Sequence, residues 1–134
     1  MILWLYRRIQ THKVVFFVNI RSNRKNNGTW VSLVFSLVQN SRDIFLFERI
    51  KAFFGCGNIF KDKSAVRFRV DKFSSIEEKV LPFFKNYLLQ TNKSRDFVDF
   101  CKIYDLIKNK ANLTQEGLQK IINIKISMNT GRKY

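Results

Sequence analysis

The chain predicts an α+β fold: one four-stranded antiparallel sheet with its helices on one face. Three observations point there. Residues 66–70 alternate strictly, with Val66, Phe68 and Val70 facing one way and Arg67 and Arg69 the other, the mark of a half-buried strand. Two hairpin patterns are present: residues 14–21 and 30–39 flank the turn SNRKNNGT, and residues 58–61 and 66–70 flank a polar turn at Lys61-Asp62-Lys63-Ser64. Between them, Ile44, Phe47, Ile50 and Phe54 recur at helical spacing, and Gly55 stops that helix.

Taken in order, residues 1–13 are the least regular part. Trp4, Leu5 and Ile9 share a helical face, but Arg7, Arg8, Gln10 and Lys13 crowd it. Residues 14–21 read as a strand from their β-branched and aromatic content, with Val14, Phe16, Val18 and Ile20 on one side. The returning strand, 30–39, has Val31, Leu33, Phe35 and Leu37 as its core side. Ser41 is placed to cap a helix over residues 42–54. Ser74 or Ser75 is expected to cap the next helix, with Glu77 and Glu78 where acids favour the dipole, and Pro82 to kink or restart it. A connection at 88–92 leads to a helix from Ser94, on which Phe97, Phe100, Cys101, Tyr104 and Ile107 fall at helical spacing. Thr114 caps the last helix, whose stripe is Leu118, Ile121, Ile122 and Met128. Both stripes read as packing surfaces rather than cofactor sites.

At 134 residues and 46% hydrophobic content, the chain has the length of one domain and enough apolar surface for a core. Its 14 phenylalanines predict that aromatics build that core. Lys and Arg number 25 against 10 Asp and Glu, a net charge of +15 that favours nucleic acid over other partners. The basic residues fall on strands and turns rather than along one helix face, which argues against a membrane surface. No apolar run has bilayer length, and apolar residues precede the arginines of residues 1–8, the reverse of a signal peptide. His12 is the single histidine, so a Ser-His or Cys-His catalytic centre has little support. Cys56 and Cys101 lie far apart without a CxxC pattern, so buried free thiols are expected rather than a zinc site.

Period-two alternation assigns Asn19, Arg21, Ser32, Ser36, Asn58, Arg67 and Arg69 to the face opposite the core. A solvated sheet face would tolerate such residues. Their types are also those that read base edges: Arg for guanine, Asn for adenine, Ser for several. Arg24, Lys25, Lys61 and Lys63 fall at the hairpin tips, where cations hold phosphates. A twisted antiparallel ribbon fits the major groove, so double-stranded DNA is the expected partner.

Several stretches resemble the LAGLIDADG homing endonucleases of organelle introns: FFVNI at residues 16–20, SRDIFLFERIKAFFGCGNIFKDK from Ser41, VRFRVDKF from Val66, IEEKVLPFFKNYLL from Ile76 and DFVDFCKIYDLIKNKANLTQEGLQKI from Asp96. The last is similar to the C-terminal repeat of single-chain, two-repeat members. The resemblance implies a single α-β-β-α-β-β-α repeat over residues 14–129, a degenerate N-terminal segment at 1–13 and a basic tail at 130–134. It implies site-specific, magnesium-dependent hydrolysis of DNA by a pair of repeats, in one chain or as a homodimer, and a mitochondrial origin. By the match of LVFSLVQN and TNKSRDF, Gln39 and Lys93 would order solvent and offset charge.

The resemblance fails at the N-terminus. Counting back from FFVNI puts Lys13 where the family has its metal-binding acid, and no Asp or Glu precedes Asp43. An ammonium cannot replace a carboxylate as a hard-metal ligand. The glycines that let two family helices pack closely are missing, and Arg7 and Arg8 lie in their region. No metal ligand is therefore assigned in this chain. The expectation is an incomplete or inactive half that keeps its DNA-reading sheet, as would follow if a first repeat had been lost or replaced. The alternative is a non-catalytic module such as a maturase binding intron RNA.

Overall fold

The computed structural model describes residues 2–10, 13–23, 28–40, 44–89 and 92–128. The elements are α1 (Ile2–Gln10), β1 (Lys13–Asn23), β2 (Gly28–Asn40), α2 (Ile44–Phe54), β3 (Asn58–Lys61), β4 (Ala65–Val70), α3 (Phe73–Ser75), a π-helical turn (Ile76–Val80), α4 (Leu81–Asn86), α5 (Asn92–Lys108), a 3-10 turn (Ala111–Leu113) and α6 (Gln115–Ser127). The four strands form one antiparallel sheet in the order β1-β2-β4-β3: the two hairpins supply the β1–β2 and β3–β4 pairs, and β2–β4 pairing joins them.

The core lies on one side of the sheet and is largely phenylalanine. Register sets Phe16 opposite Phe35 at the centre of the β1–β2 pair. The Phe16 ring meets Phe84 at 5.4 Å, Phe97 at 5.4 Å and Phe100 at 5.1 Å. Phe35 continues the network to Phe54 and Phe68, and Phe54 meets Phe83. Rings from the strands thus touch rings from α2, α4 and α5. Losing one such buried ring costs about 3–5 kcal/mol, a large part of a small domain's stability of about 5–15 kcal/mol.

Several sequence expectations need correction. The irregular segment at 1–13 contains helix α1, and Leu5 and Ile9 are fully part of the core. Its arginines do not prevent this, because Arg7 and Arg8 are exposed. The strands β1, β2 and β4 are longer than the alternation suggested, because ladder pairing continues through the polar ends. Ser41 lies outside the described residues. Neither Ser74 nor Ser75 is a cap: the helix starts at Phe73, after extended Lys72. As expected, Pro82 marks a restart: α-helical geometry resumes as α4 at Leu81, with the proline in its first turn. It sits just after a π turn in which the Leu81 N–H donates to the Ile76 carbonyl five residues back. Proline has no N–H and its ring crowds the carbonyl four residues earlier, so a widened turn relieves the conflict. Helix α5 begins at Asn92, two residues before Ser94. Cys56 and Cys101 are free thiols but only half-buried. Thr114 does cap α6, accepting from the Gly117 N–H at 3.0 Å. Gly117 is required there, because a Cβ would lie 2.0 Å from the Ala111 carbonyl oxygen. Among the described residues no helix is long and apolar enough to cross a membrane.

A polar pin joins the π turn to α5. The Tyr104 hydroxyl donates to Glu77 Oε2, Lys108 Nζ donates to the same oxygen at 2.8 Å, and Phe73 stacks on the Tyr104 ring. These donors lower the Glu77 pKa, first through Lys108 and then Tyr104. The hydrogen bond to Glu77 raises the Tyr104 pKa to about 12. The raised phenol contributes stability that is full below the ordinary 10.0 and is lost as pH rises toward about 12. The depressed carboxyl contributes stability present above the ordinary 4.5 and lost as pH falls through its lowered value. In an alkaline absorbance titration, Tyr104→Phe should remove the step near pH 12 rather than one near 10. Glu77→Gln should flatten both flanks of the Tm–pH curve. Loss of an ordinary step near 10 in Tyr104→Phe would contradict the pin.

Candidate nucleic-acid interface

Alternation and register together decide which side chains share the face opposite the phenylalanines. Lys13, Val38, Arg67 and Phe60 stand abreast across β1, β2, β4 and β3. The next row on that face is Val15, Ser36, Arg69 and Asn58. Farther along the first hairpin, Asn19 stands opposite Ser32 and Arg21 opposite Trp30. The structure therefore brings Asn19, Arg21, Ser32, Ser36, Asn58, Arg67 and Arg69 onto one surface, as the alternation required. Neighbouring strands lie about 4.8 Å apart. A four-strand row thus spans about 14 Å, comparable with the major-groove width of about 12 Å.

These residues differ in what they can offer. Arg21, Asn58 and Arg67 are exposed, while Asn19 and Ser32 are half-buried. Ser36 is only 8% exposed, because Val15 and Arg69 flank it at the sheet centre. Arg69 is half-buried, and its Nε lies 3.4 Å from Asp71 Oδ2, an ion pair that falls short of an aligned hydrogen bond. At the β3–β4 tip, Asp62 Oδ1 accepts from the N–H groups of Ser64 at 2.8 Å and Ala65 at 2.7 Å. Those backbone donors hold the Asp62 carboxyl below its ordinary pKa and make the turn a fixed one. Lys61 and Lys63 are exposed on this turn. Lys61 stands opposite Val66, so its register places it on the core-side parity at the strand end. Arg24 and Lys25 lie outside the described residues.

Gln39 and Lys93 do not belong to the open face. Gln39 stands opposite Val66 at the end of β2, and its Oε1 accepts from the Asn40 N–H at 3.0 Å. Lys93 is in the first turn of α5, which packs on β1 and β2. Partial burial pushes its pKa down. Among the described residues no three His, Cys, Asp or Glu side chains converge. Lys13 is an exposed cation at the first position of β1. Asp43 lies outside the described residues.

Sequence reasoning passed over the aromatic members of this surface. Trp30 is 71% exposed, Phe60 54% and Phe17 43%. The alternation that selected Arg21, Arg67 and Asn19 had already placed them on the same side. Lys125 of α6 also reaches this face, its Nζ lying 5.3 Å from the Phe17 ring centroid. That contact joins elements far apart in sequence, and no local pattern announces it.

Comparison with known proteins follows the same lines. A family model described as LAGLIDADG endonuclease matches residues 14–104. The Neurospora crassa protein "Probable intron-encoded endonuclease 2" is 42% identical over 104 residues, covering 76% of this chain and 23% of that protein. The chain therefore spans less than a quarter of that curated relative. The I-LtrWI LAGLIDADG homing endonuclease bound to target DNA superposes with a TM-score of 0.89 at 38% identity, over 99% of this chain and 45% of that one. The homing endonuclease I-TnaI superposes with a TM-score of 0.87 at 34% identity, over 98% of this chain and 90% of that one.

The two strand-β4 arginines should behave differently. Arg67→Ala should weaken binding to a labelled DNA duplex more than Arg69→Ala, since Arg69 is already engaged by Asp71. Asp71→Asn should tighten binding by up to about fivefold, because an exposed ion pair holds about 0.2–1 kcal/mol. Fluorescence anisotropy at fixed salt would check this. Equal losses for both arginines, with no gain in Asp71→Asn, would show that the pair does not restrain Arg69.

Proposed function

The chain belongs to the LAGLIDADG endonuclease family, and we propose that it is the DNA-reading repeat of an intron-encoded homing endonuclease that does not cleave by itself. The observation that carries the reading is the open sheet face. Polar base-reading side chains lie in register on one surface, cations stand at its edges and tip, and the opposite surface is core. Phosphate-binding cations would position such a face in a major groove, while Arg67, Arg21, Asn58 and the Asn19–Ser32 pair would read bases. A mitochondrial intron origin is part of the same proposal.

Lys13 supports the absence of cleavage. The family resemblance puts a metal-binding acid at that position, and an exposed ammonium there repels a hard cation rather than holding it. A cleaving enzyme would need its acids from a second repeat, with this chain contributing Gln39 and Lys93 as solvent-ordering and charge-offsetting groups. The exposed Arg7 and Arg8 on α1 disfavour a symmetric pairing through that helix, because identical cations would meet across a two-fold axis.

A second reading has an observation of its own. Trp30, Phe60 and Phe17 are exposed on the basic face, and such rings stack unpaired bases. Intron RNA is the partner that this feature favours.

A salt titration tests the proposal and separates the two readings. With about 6 phosphate contacts, duplex affinity should fall on the order of 10³-fold between 50 and 200 mM salt. At matched salt the duplex should bind more tightly than structured intron RNA; the opposite order would favour the maturase reading, and a flat salt response would remove both.

The chain alone should also leave a plasmid carrying the intron insertion site uncut in magnesium or manganese. Lys13→Asp should bring at most weak metal binding and no double-strand cleavage, since the glycines of a paired helix are still missing. Robust nicking by the unaltered chain would overturn this, and Asp43 would then be the first residue to substitute.

A further inference from the structure

Resting on the reading of the sheet face as a duplex-binding surface, we propose that the β3–β4 tip carries a pocket for the C5-methyl group of a thymine, next to a guanine contact made by Arg67. The tip bears an open depression of about 190 Å³ lined by Val38, Phe60, Lys61, Asp62, Ala65 and Arg67. Register explains the grouping. Phe60 and Val38 flank Arg67 on either side, and Ala65 lies two residues before Arg67 on the same side of β4. Val38, Ala65 and Phe60 give the depression an apolar side, and Lys61, Asp62 and Arg67 give it a charged one.

The chemistry of that lining selects a base edge. In the major groove, thymine alone among the ordinary bases presents a carbon substituent, and alanine and phenylalanine are suited to contact it. The volume of the depression is several times the ~30 Å³ share of one water molecule in the liquid. It therefore has room for the C5 methyl and the adjacent pyrimidine edge. Arg67 is exposed and can present two N–H donors to the O6 and N7 of a neighbouring guanine.

The tip is built to hold this geometry before a ligand arrives. Asp62 closes the turn through two backbone N–H groups, and Asp62 N–H donates to the Ala65 carbonyl at 3.0 Å. Phe60 is 54% exposed on a short edge strand, so its ring is available to an entering base edge.

The test starts with selection from a randomised DNA duplex pool by the intact chain. The enriched site should contain thymine beside guanine at one end. Replacing that thymine by uracil removes the methyl group alone and leaves the protein untouched. It should weaken binding about fourfold, the factor that burying one carbon of about 0.8 kcal/mol supplies. At the same position, 5-methylcytosine should bind better than cytosine by a similar factor. Phe60→Ala should abolish the thymine–uracil difference while the guanine preference remains. Arg67→Ala should lower the guanine preference by about tenfold or more while the methyl effect remains. Equal binding of thymine and uracil by the unaltered chain, or a methyl effect that survives Phe60→Ala, would overturn the pocket. A selected site unaffected by either substitution would overturn the pocket alone, whereas no enriched sequence at all would overturn the sequence-reading face with it.

Discussion

Contact between Phe16 and Phe35, at 5.6 Å across the centre of the β1–β2 pair, is the point on which the rest of the structure depends. Both rings are essentially buried, and both project from the same side of the sheet. Because side chains alternate across a strand, committing these two to the core commits every odd residue of β1 and every even residue of β2 to the other side. The polar face is a consequence of that choice. A slip of one residue would bury Arg21 and expose Phe16. Aromatic packing on the back thus sets the polar pattern on the front.

The same core explains why the helices sit where they do. Phe54, Phe83, Phe84, Phe97 and Phe100 come from α2, α4 and α5, and each meets a strand phenylalanine or a neighbour of one. Large rings fill space with few rotatable bonds, so a small domain can reach a dense interior with few residues. The π turn before Pro82 keeps Val80, Leu81, Phe83 and Phe84 all turned inward.

Charge acts on a different level. The net charge of +15 does not build the fold, and a cationic surface repels itself. It is tolerated because the cations are spread over strands, turns and helix surfaces while the acids are placed individually. Asp62 fixes a turn, Glu77 ties the π turn to α5, and Asp71 restrains Arg69. Each of these three acids has a local structural partner, and the cations still outnumber the acids by 15. That combination suits a protein whose partner is a polyanion.

The sequence by itself determined the sheet, its two hairpins, the side of the core and the identity of the seven polar residues opposite it. Period-two alternation is a local property, and neighbouring residues carry it completely. It also determined the Thr114 cap, since capping needs only residues three apart. What only the tertiary structure decided are features that depend on distant partners. Helix α1 looked irregular because its arginines mask a short apolar stripe, and only docking on the core shows Leu5 and Ile9 to be buried. The length of β1 and β2 comes from ladder pairing rather than side-chain character. The shielding of Ser36, the tethering of Arg69, the approach of Lys125 to Phe17 and the depression beside Phe60 all arise where strands and helices from separate segments meet. No local pattern encodes them, because each is a distance between residues that the chain itself does not place side by side.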